Sequence, residues 1–155
     1  MPELYHVGIT CSNMDDSIRF YTEVAGMTLL SRLETVSGEW MKDLKGISRQ
    51  PTIRVAHLEM GPFMLQLVEY KTHQGKRLEL QHHNIGNVHM SIFVGDVEAK
   101  RAEVEAWGRV ERLSPVVTIA TSGRRSFYTA DPDGIMVEFM SKEPVDPPEG
   151  GDGRP

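Results

Sequence analysis

The segment His6-Val7-Gly8-Ile9 returns later in the chain as His89-Met90-Ser91-Ile92, each time a histidine, an apolar residue, a small residue and an isoleucine. A second segment, Met64-Leu65-Gln66-Leu67, returns as Met136-Val137-Glu138-Phe139, and a turn containing Gly and Pro precedes both copies. The two segments keep the same order in each half of the chain. Such a correspondence indicates an internal duplication, which decides the fold.

Hydrophobic periodicity around these segments predicts the same unit twice, a strand, a helix and three further strands. In the first copy we expect strands at 4–10, 28–35, 52–60 and 63–70, a helix from Met14 that stops at Gly26, and a helical turn at 41–44. In the second copy we expect strands at 88–94, 110–113, 125–130 and 135–140, and a helix that Asp96 caps and Gly108 stops.

These elements predict an α+β fold built of two βαβββ modules. The modules span about 3–70 and 87–141 and form one domain over residues 1–141. The tail at 142–155 is rich in Pro and Gly and is expected to be disordered.

Composition excludes several classes of protein. The 155 residues include 17 basic and 22 acidic side chains, a net charge of −5, which argues against nucleic-acid binding. The single cysteine, Cys11, rules out an internal disulfide and a cysteine-built zinc site. The sequence contains no run of about eighteen apolar residues, the length needed to span a membrane, and its N-terminus lacks the pattern of a secretion signal. We therefore expect a cytoplasmic protein.

The duplication also brings polar side chains to one face. In the last strand of each module the larger apolar residues point towards the helix, so Gln66 and Glu138 point away from it, as do His6 and His89 in the first strands. A carboxylate buried there needs a cation. Imidazole, amide and carboxylate donors suit Zn²⁺, Mn²⁺, Fe²⁺, Co²⁺ or Ni²⁺. The pattern predicts one divalent metal ion with positions open to a substrate.

Other polar side chains are left out of this ligand set. Glu69 follows Gln66 by three residues, so it points to the opposite face of the strand. The repeat offers no counterpart for the remaining histidines, His57, His73, His82 and His83. Of these, His82 and His83 lie together in the polar linker and are expected at the surface.

The chain resembles the vicinal oxygen chelate superfamily, which contains glyoxalases, bleomycin-resistance proteins and extradiol dioxygenases. The resemblance covers residues 3–141 and is carried by residues 6–9 with 17–21, 64–70, 89–94 with 96–97, and 131–138. It implies paired βαβββ modules that form a curved mixed sheet around a central cavity. It also implies a metal held by His6, Gln66, His89 and Glu138, and a homodimer. Whether the modules pair within one chain or across the dimer stays open.

The His–Gln–His–Glu set is most similar to those of methylmalonyl-CoA epimerase and glyoxalase I. The resemblance implies an isomerase or lyase that forms an enolate or enediolate from a small carbonyl substrate, with Glu138 as the catalytic base. A second catalytic glutamate of the epimerases would align near Arg54, which stays protonated and cannot act as a base. Arg54 and Arg125 are instead candidates for binding an anionic substrate.

Three alternatives remain at this stage. His6, His89 and Glu138 alone would suit Fe(II) in an extradiol dioxygenase. The same three ligands would serve a transferase that opens an epoxide. A third alternative is a protein that only binds a small molecule, although binding proteins of this superfamily characteristically lack the metal ligands, which are present here.

Overall fold

A computed structural model describes residues 1–145 and shows the expected α+β architecture. The chain forms two compact units, the first over Met1–Leu78 and the second beginning at Glu79. Each unit contains one four-stranded mixed sheet. Most of the tail for which we predicted disorder, residues 146–155, lies outside the described residues.

The first unit follows the predicted element order. Its sheet has the order β1-β4-β3-β2, with β1 parallel to β4 and the other neighbours antiparallel. The elements are β1 (Val7–Cys11), α1 (Met14–Arg19) continuing as a π-helix (Phe20–Val24), β2 (Thr28–Ser37), α2 (Trp40–Lys45), β3 (Thr52–Met60) and β4 (Phe63–Tyr70).

The first helix starts and stops where the sequence predicts. The side chain of Asn13 accepts hydrogen bonds from the N–H groups of Asp15 and Asp16, at 3.0 and 3.3 Å, which satisfies donors that a helix start leaves free. The helix widens into a π-turn, in which Ala25 N–H donates to the Phe20 carbonyl at 3.0 Å. Gly26 then adopts a positive φ of 80° and ends it.

The two faces of this first sheet have different coverings. Helix α1 packs against β4 on one face, and this α1-covered face holds Leu65 and Leu67, both fully buried. On the opposite face, Met41 of α2 packs with Val55 and Val68 in a second small core. Gln66 alternates with Leu65 and Leu67 along β4, so it lies on the same face as Met41.

The second unit repeats this topology with the sheet order β5-β8-β7-β6. Again the first strand is parallel to the last and the other neighbours are antiparallel. Asp96 caps the helix through a 2.9 Å bond from Ala99 N–H, and Gly108 ends it with a φ of 70°, both as predicted. The elements are β5 (His89–Val94), α3 (Val97–Trp107), β6 (Val117–Thr118), β7 (Arg125–Ala130) and β8 (Met136–Ser141).

The strand predicted at 110–113 is wrong. Only an isolated bridge joins Leu113 to Thr129, and the paired residues of β6 come later, at Val117–Thr118. Side chains replace part of the ladder, because Tyr128 N–H donates to Ser114 Oγ at 2.9 Å and Thr129 Oγ1 to the Arg112 carbonyl at 2.8 Å. Pro115, which has no N–H, follows directly and cannot continue the strand.

In the part of the chain that the structure describes, the helices are all too short or too polar to cross a bilayer.

Candidate functional site

The first unit places two polar side chains opposite each other on its α2-covered face. His57 of β3 and Gln66 of β4 are partners in the antiparallel register, and His57 Nε2 lies 3.0 Å from Gln66 Nε2. On its other side, His57 Nδ1 lies 3.0 Å from Ser31 Oγ of β2. Three neighbouring strands therefore contribute to one polar row.

His6 belongs to the same group. It directly precedes β1, two residues before Gly8, which is the register partner of Gln66. The rings of His6 and His57 have centroids 6.2 Å apart. Burial lowers the pKa of His57, and the charge of a protonated His6 lowers it further. His6 Nδ1 is buried and has no hydrogen-bond partner, so it is a nitrogen donor left for a ligand.

The second unit presents a carboxylate at the position equivalent to Gln66. Glu138 of β8 is 5% exposed and is the register partner of Tyr128 on β7. Ser126 Oγ donates a 2.7 Å hydrogen bond to Glu138 Oε1. Burial raises the pKa of the Tyr128 hydroxyl, and the charge of Glu138 and a hydrogen bond to it raise it further. Hydroxyl groups thus contact this buried carboxylate.

Two histidine rings surround Tyr128. His89, the first residue of β5, has its ring centroid 5.7 Å from that of Tyr128, and His82 of the linker has its centroid at 4.7 Å. The register pairs Ser91 with Glu138, so His89 is placed as His6 is in the first unit. His82, expected simply at the surface, is exposed but lies within this group.

The repeat left His57 without a counterpart and did not single out Tyr128. Both occupy the strand before the one that carries Gln66 or Glu138, and both are the register partner of that residue. The comparison of the two copies does not reveal these positions, because one copy has a histidine there and the other a tyrosine. Counting back through each predicted hairpin turn would have found them, since a hairpin's turn sets which residues face each other.

The structure does not bring Arg54 together with these donors. Arg54 is 9% exposed and lies on the α1-covered face. Its Nη1 is 2.9 Å from Glu69 Oε2 and 3.3 Å from Asp15 Oδ2, and its Nε is 2.9 Å from Glu34 Oε2. Its guanidinium is already paired with carboxylates. This placement separates Arg54 from Gln66, and binding of an anionic substrate by Arg54 stays a prediction.

Arg125 is placed in a similar way. Ser126 and Tyr128 lie on the same face of the sheet as Glu138, so Arg125, which directly precedes Ser126 in β7, lies on the opposite face. There it forms an ion pair with Glu98 of α3. This geometry separates Arg125 from Glu138, and a substrate contact by Arg125 stays a prediction. Glu69, in contrast, points away from Gln66 as predicted.

The donor chemistry within each unit fits part of a metal site. His6 offers an unpartnered nitrogen, Gln66 an amide oxygen, His89 an exposed imidazole and Glu138 a buried carboxylate. Over the described residues, no three histidine, cysteine, aspartate or glutamate side chains gather into a metal-binding group. Each unit therefore supplies a pair of the predicted donors: one contains His6 and Gln66, the other His89 and Glu138.

The repeated βαβββ unit with these donor positions defines the class of protein. The profile of the Glyoxalase/Bleomycin resistance protein/Dioxygenase superfamily matches residues 3–139, and the chain belongs to this superfamily. A 2-epi-5-epi-valiolone epimerase from Actinomyces sp. is 31% identical over 143 residues, which cover 89% of this chain and 78% of that protein. The uncharacterized protein YwbC of Bacillus subtilis is 29% identical over 140 residues, with 88% and 95% coverage.

Solved structures share the fold at lower identity. A glyoxalase family protein from Bacillus cereus superposes with a TM-score of 0.79 at 20% identity, covering 92% of this chain and 95% of that one. The fosfomycin resistance protein FosX from Listeria monocytogenes, solved with Mn(II) and sulfate, gives a TM-score of 0.61 at 15% identity, covering 91% and 93%. At these identities the likeness establishes the architecture alone.

Proposed function

We propose that the protein is a divalent-metal-dependent epimerase that inverts a stereocentre beside the carbonyl group of a small ketone. The observation that carries this proposal is the 31% identity to an epimerase over 89% of the chain. The donor set supports it, because both members of each donor pair are present at equivalent positions of the repeat.

We assign the ion to the four ligands that the resemblance implies, His6, Gln66, His89 and Glu138. The unpartnered Nδ1 of His6 and the buried carboxylate of Glu138 support this assignment, since an imidazole nitrogen and a buried carboxylate both suit a cation. Zn²⁺, Mn²⁺, Fe²⁺, Co²⁺ and Ni²⁺ are all compatible with imidazole, amide and carboxylate donors.

When bound, the ion supplies positive charge beside the substrate's carbonyl oxygen, which makes the neighbouring C–H more acidic. Glu138 is our candidate for the base that removes this proton. Ser126 holds its Oε1 at 2.7 Å, which restricts the rotation of the carboxylate and orients Oε2. Glu138 then releases the abstracted proton to solvent, and inversion is complete when solvent water delivers a proton to the other face of the same carbon.

Deuterium exchange tests the proposal. The protein loaded with each of the five metals in turn should epimerise 2-epi-5-epi-valiolone in D₂O and place deuterium at the inverted carbon, as read by NMR. Glu138→Gln should abolish the exchange, whereas Glu111→Gln, a matched change at an exposed glutamate, should leave it intact. Failure to bind any of the five metals would overturn the proposal, and oxygen uptake with ring cleavage of a catechol would favour the dioxygenase.

A further inference from the structure

We infer that His57 is a positioning residue that orients the Gln66 amide so that its oxygen, and not its nitrogen, is free to bind the metal ion. This inference rests on the proposed function, in which Gln66 is a metal ligand. It assigns a role to a histidine that has no histidine at the equivalent position of the repeat.

The hydrogen-bond chemistry of the pair determines the direction of the amide. Gln66 Nε2 lies 3.0 Å from His57 Nε2, and an amide nitrogen only donates, so His57 Nε2 is the acceptor. With its nitrogen used in this way, the amide turns Oε1 away from His57. The site that a Cβ on Gly8 would occupy lies 3.9 Å from that oxygen, which places Oε1 over the strand that His6 precedes.

The hydrogen bond from Gln66 determines which nitrogen of His57 carries the proton, and Ser31 accepts that proton. A neutral imidazole that accepts at Nε2 has its hydrogen on Nδ1, and Nδ1 lies 3.0 Å from Ser31 Oγ, which accepts it. The three side chains thus form a chain of hydrogen bonds in one direction, from Gln66 to His57 to Ser31. Reversing the amide would place its oxygen against the acceptor nitrogen of His57, which costs a hydrogen bond.

The strand register of the second unit supports this role, because the same pairing recurs there. His57 and Gln66 are directly opposite on β3 and β4, and Tyr128 and Glu138 are directly opposite on β7 and β8. In both units, therefore, the proposed ligand of the last strand is bonded by its neighbour on the preceding strand. Partners that fix ligand orientation in this way typically contribute about 10- to 100-fold to metal affinity.

Mn²⁺ affinity, measured by calorimetry on the full chain, tests the inference without relying on turnover. His57→Leu removes the acceptor and should weaken Mn²⁺ binding about 10- to 100-fold. His57→Gln keeps an acceptor oxygen and should restore the affinity to within about threefold of the original. His83→Leu is the matched control, because His83 is exposed and outside the donor groups, and it should bind Mn²⁺ normally.

A double-mutant cycle separates positioning from a general structural effect. If His57 acts through Gln66, then His57→Leu should lower Mn²⁺ affinity less than about twofold further in a Gln66→Ala background. An equal loss in both backgrounds, or unchanged affinity in His57→Leu alone, would overturn the inference. If His57→Leu does not fold by circular dichroism, Ser31→Ala should weaken binding about 3- to 10-fold, and unchanged affinity there would overturn it equally.

The two proposals fail differently. An unmodified protein that binds no Mn²⁺ contradicts the proposed function itself. An unmodified protein that binds Mn²⁺ and exchanges deuterium, with a His57→Leu variant that binds equally well, contradicts only the role of His57.

Discussion

Arg54 and Glu69 face each other across β3 and β4, with Arg54 Nη1 2.9 Å from Glu69 Oε2. The pair lies three positions along the strands from His57 and Gln66, so it occupies the opposite face of the same sheet. One hairpin therefore carries an ion pair on its α1-covered side and the proposed metal ligand Gln66, with its partner His57, on the other.

Arg54→Met should destabilise the first unit. It leaves Glu69, 6% exposed, with Lys71 at 2.9 Å and the Met14 N–H at 3.1 Å as its remaining partners. We expect the free energy of unfolding to fall by about 3 kcal/mol, measured by urea denaturation, because a buried carboxylate loses one of its two charge partners. Mn²⁺ affinity of the folded protein should not change.

The control for this variant is Arg32→Met. Arg32 pairs with the same carboxylates, Asp15 and Glu34, but is about one-third exposed, so its loss should cost less than about 1 kcal/mol. If Arg54→Met instead keeps full stability and weakens substrate binding, Arg54 acts as a substrate ligand after all.

The stability of the protein should decrease in acid. Burial alone would raise the pKa of Glu69, but hydrogen bonds from Lys71 and Met14 N–H and the charge of Arg54 hold it below the ordinary value of 4.5. A lowered pKa in the folded state means that the stabilisation is complete above pH 4.5 and disappears as the pH falls through the folded value. Denaturation curves between pH 7 and about pH 3 measure this loss.

Glu69→Gln provides the comparison for the acid dependence. The variant should be less stable than the original protein at pH 7, and its unfolding free energy should change less between pH 5 and pH 3, since the titrating group is gone. Parallel pH curves for the two proteins would show that Glu69 does not contribute to the acid loss.

Two buried serines should respond differently to the same substitution. Ser126→Ala removes the 2.7 Å bond to the buried Glu138 carboxylate and should lower the free energy of unfolding by about 1.5 to 3 kcal/mol. Ser17 Oγ, in contrast, is buried without a hydrogen-bond partner, so Ser17→Ala should be neutral or stabilising. Thermal or urea denaturation of both variants decides this, and equal destabilisation would contradict it.

Removal of metal should lower the melting temperature. An ion that binds only the folded state stabilises it by about 2.7 kcal/mol at a free concentration one hundred times its dissociation constant. Treatment with a chelator, followed by return of Mn²⁺, should lower and then restore the melting temperature. His6→Ala and Glu138→Gln should abolish the restoration, while His83→Leu should keep it; restoration in all three variants would place the ion elsewhere.

Much of the fold follows from local patterns. The duplicated segments, the alternation in β3 and β4 and the helix signals at Gly26, Asp96 and Gly108 are properties of short stretches, and the structure has elements where they predict them. The strand predicted at 110–113 failed because non-local bonds from Tyr128 and Thr129 replace a ladder there, and such bonds leave no periodic signal.

The sequence by itself determined the repeat, the two βαβββ units and the face on which Gln66 and Glu138 lie, because a period of two assigns each strand residue to a side. Only the tertiary structure decided which residues meet across neighbouring strands. His57 meets Gln66, Tyr128 meets Glu138 and Arg54 meets Glu69 because of the strand register, which depends on turn geometry and packing over the whole sheet. The register thereby places Arg54, a candidate substrate ligand, in an ion-pair network, and it places His57 beside the proposed metal ligand Gln66.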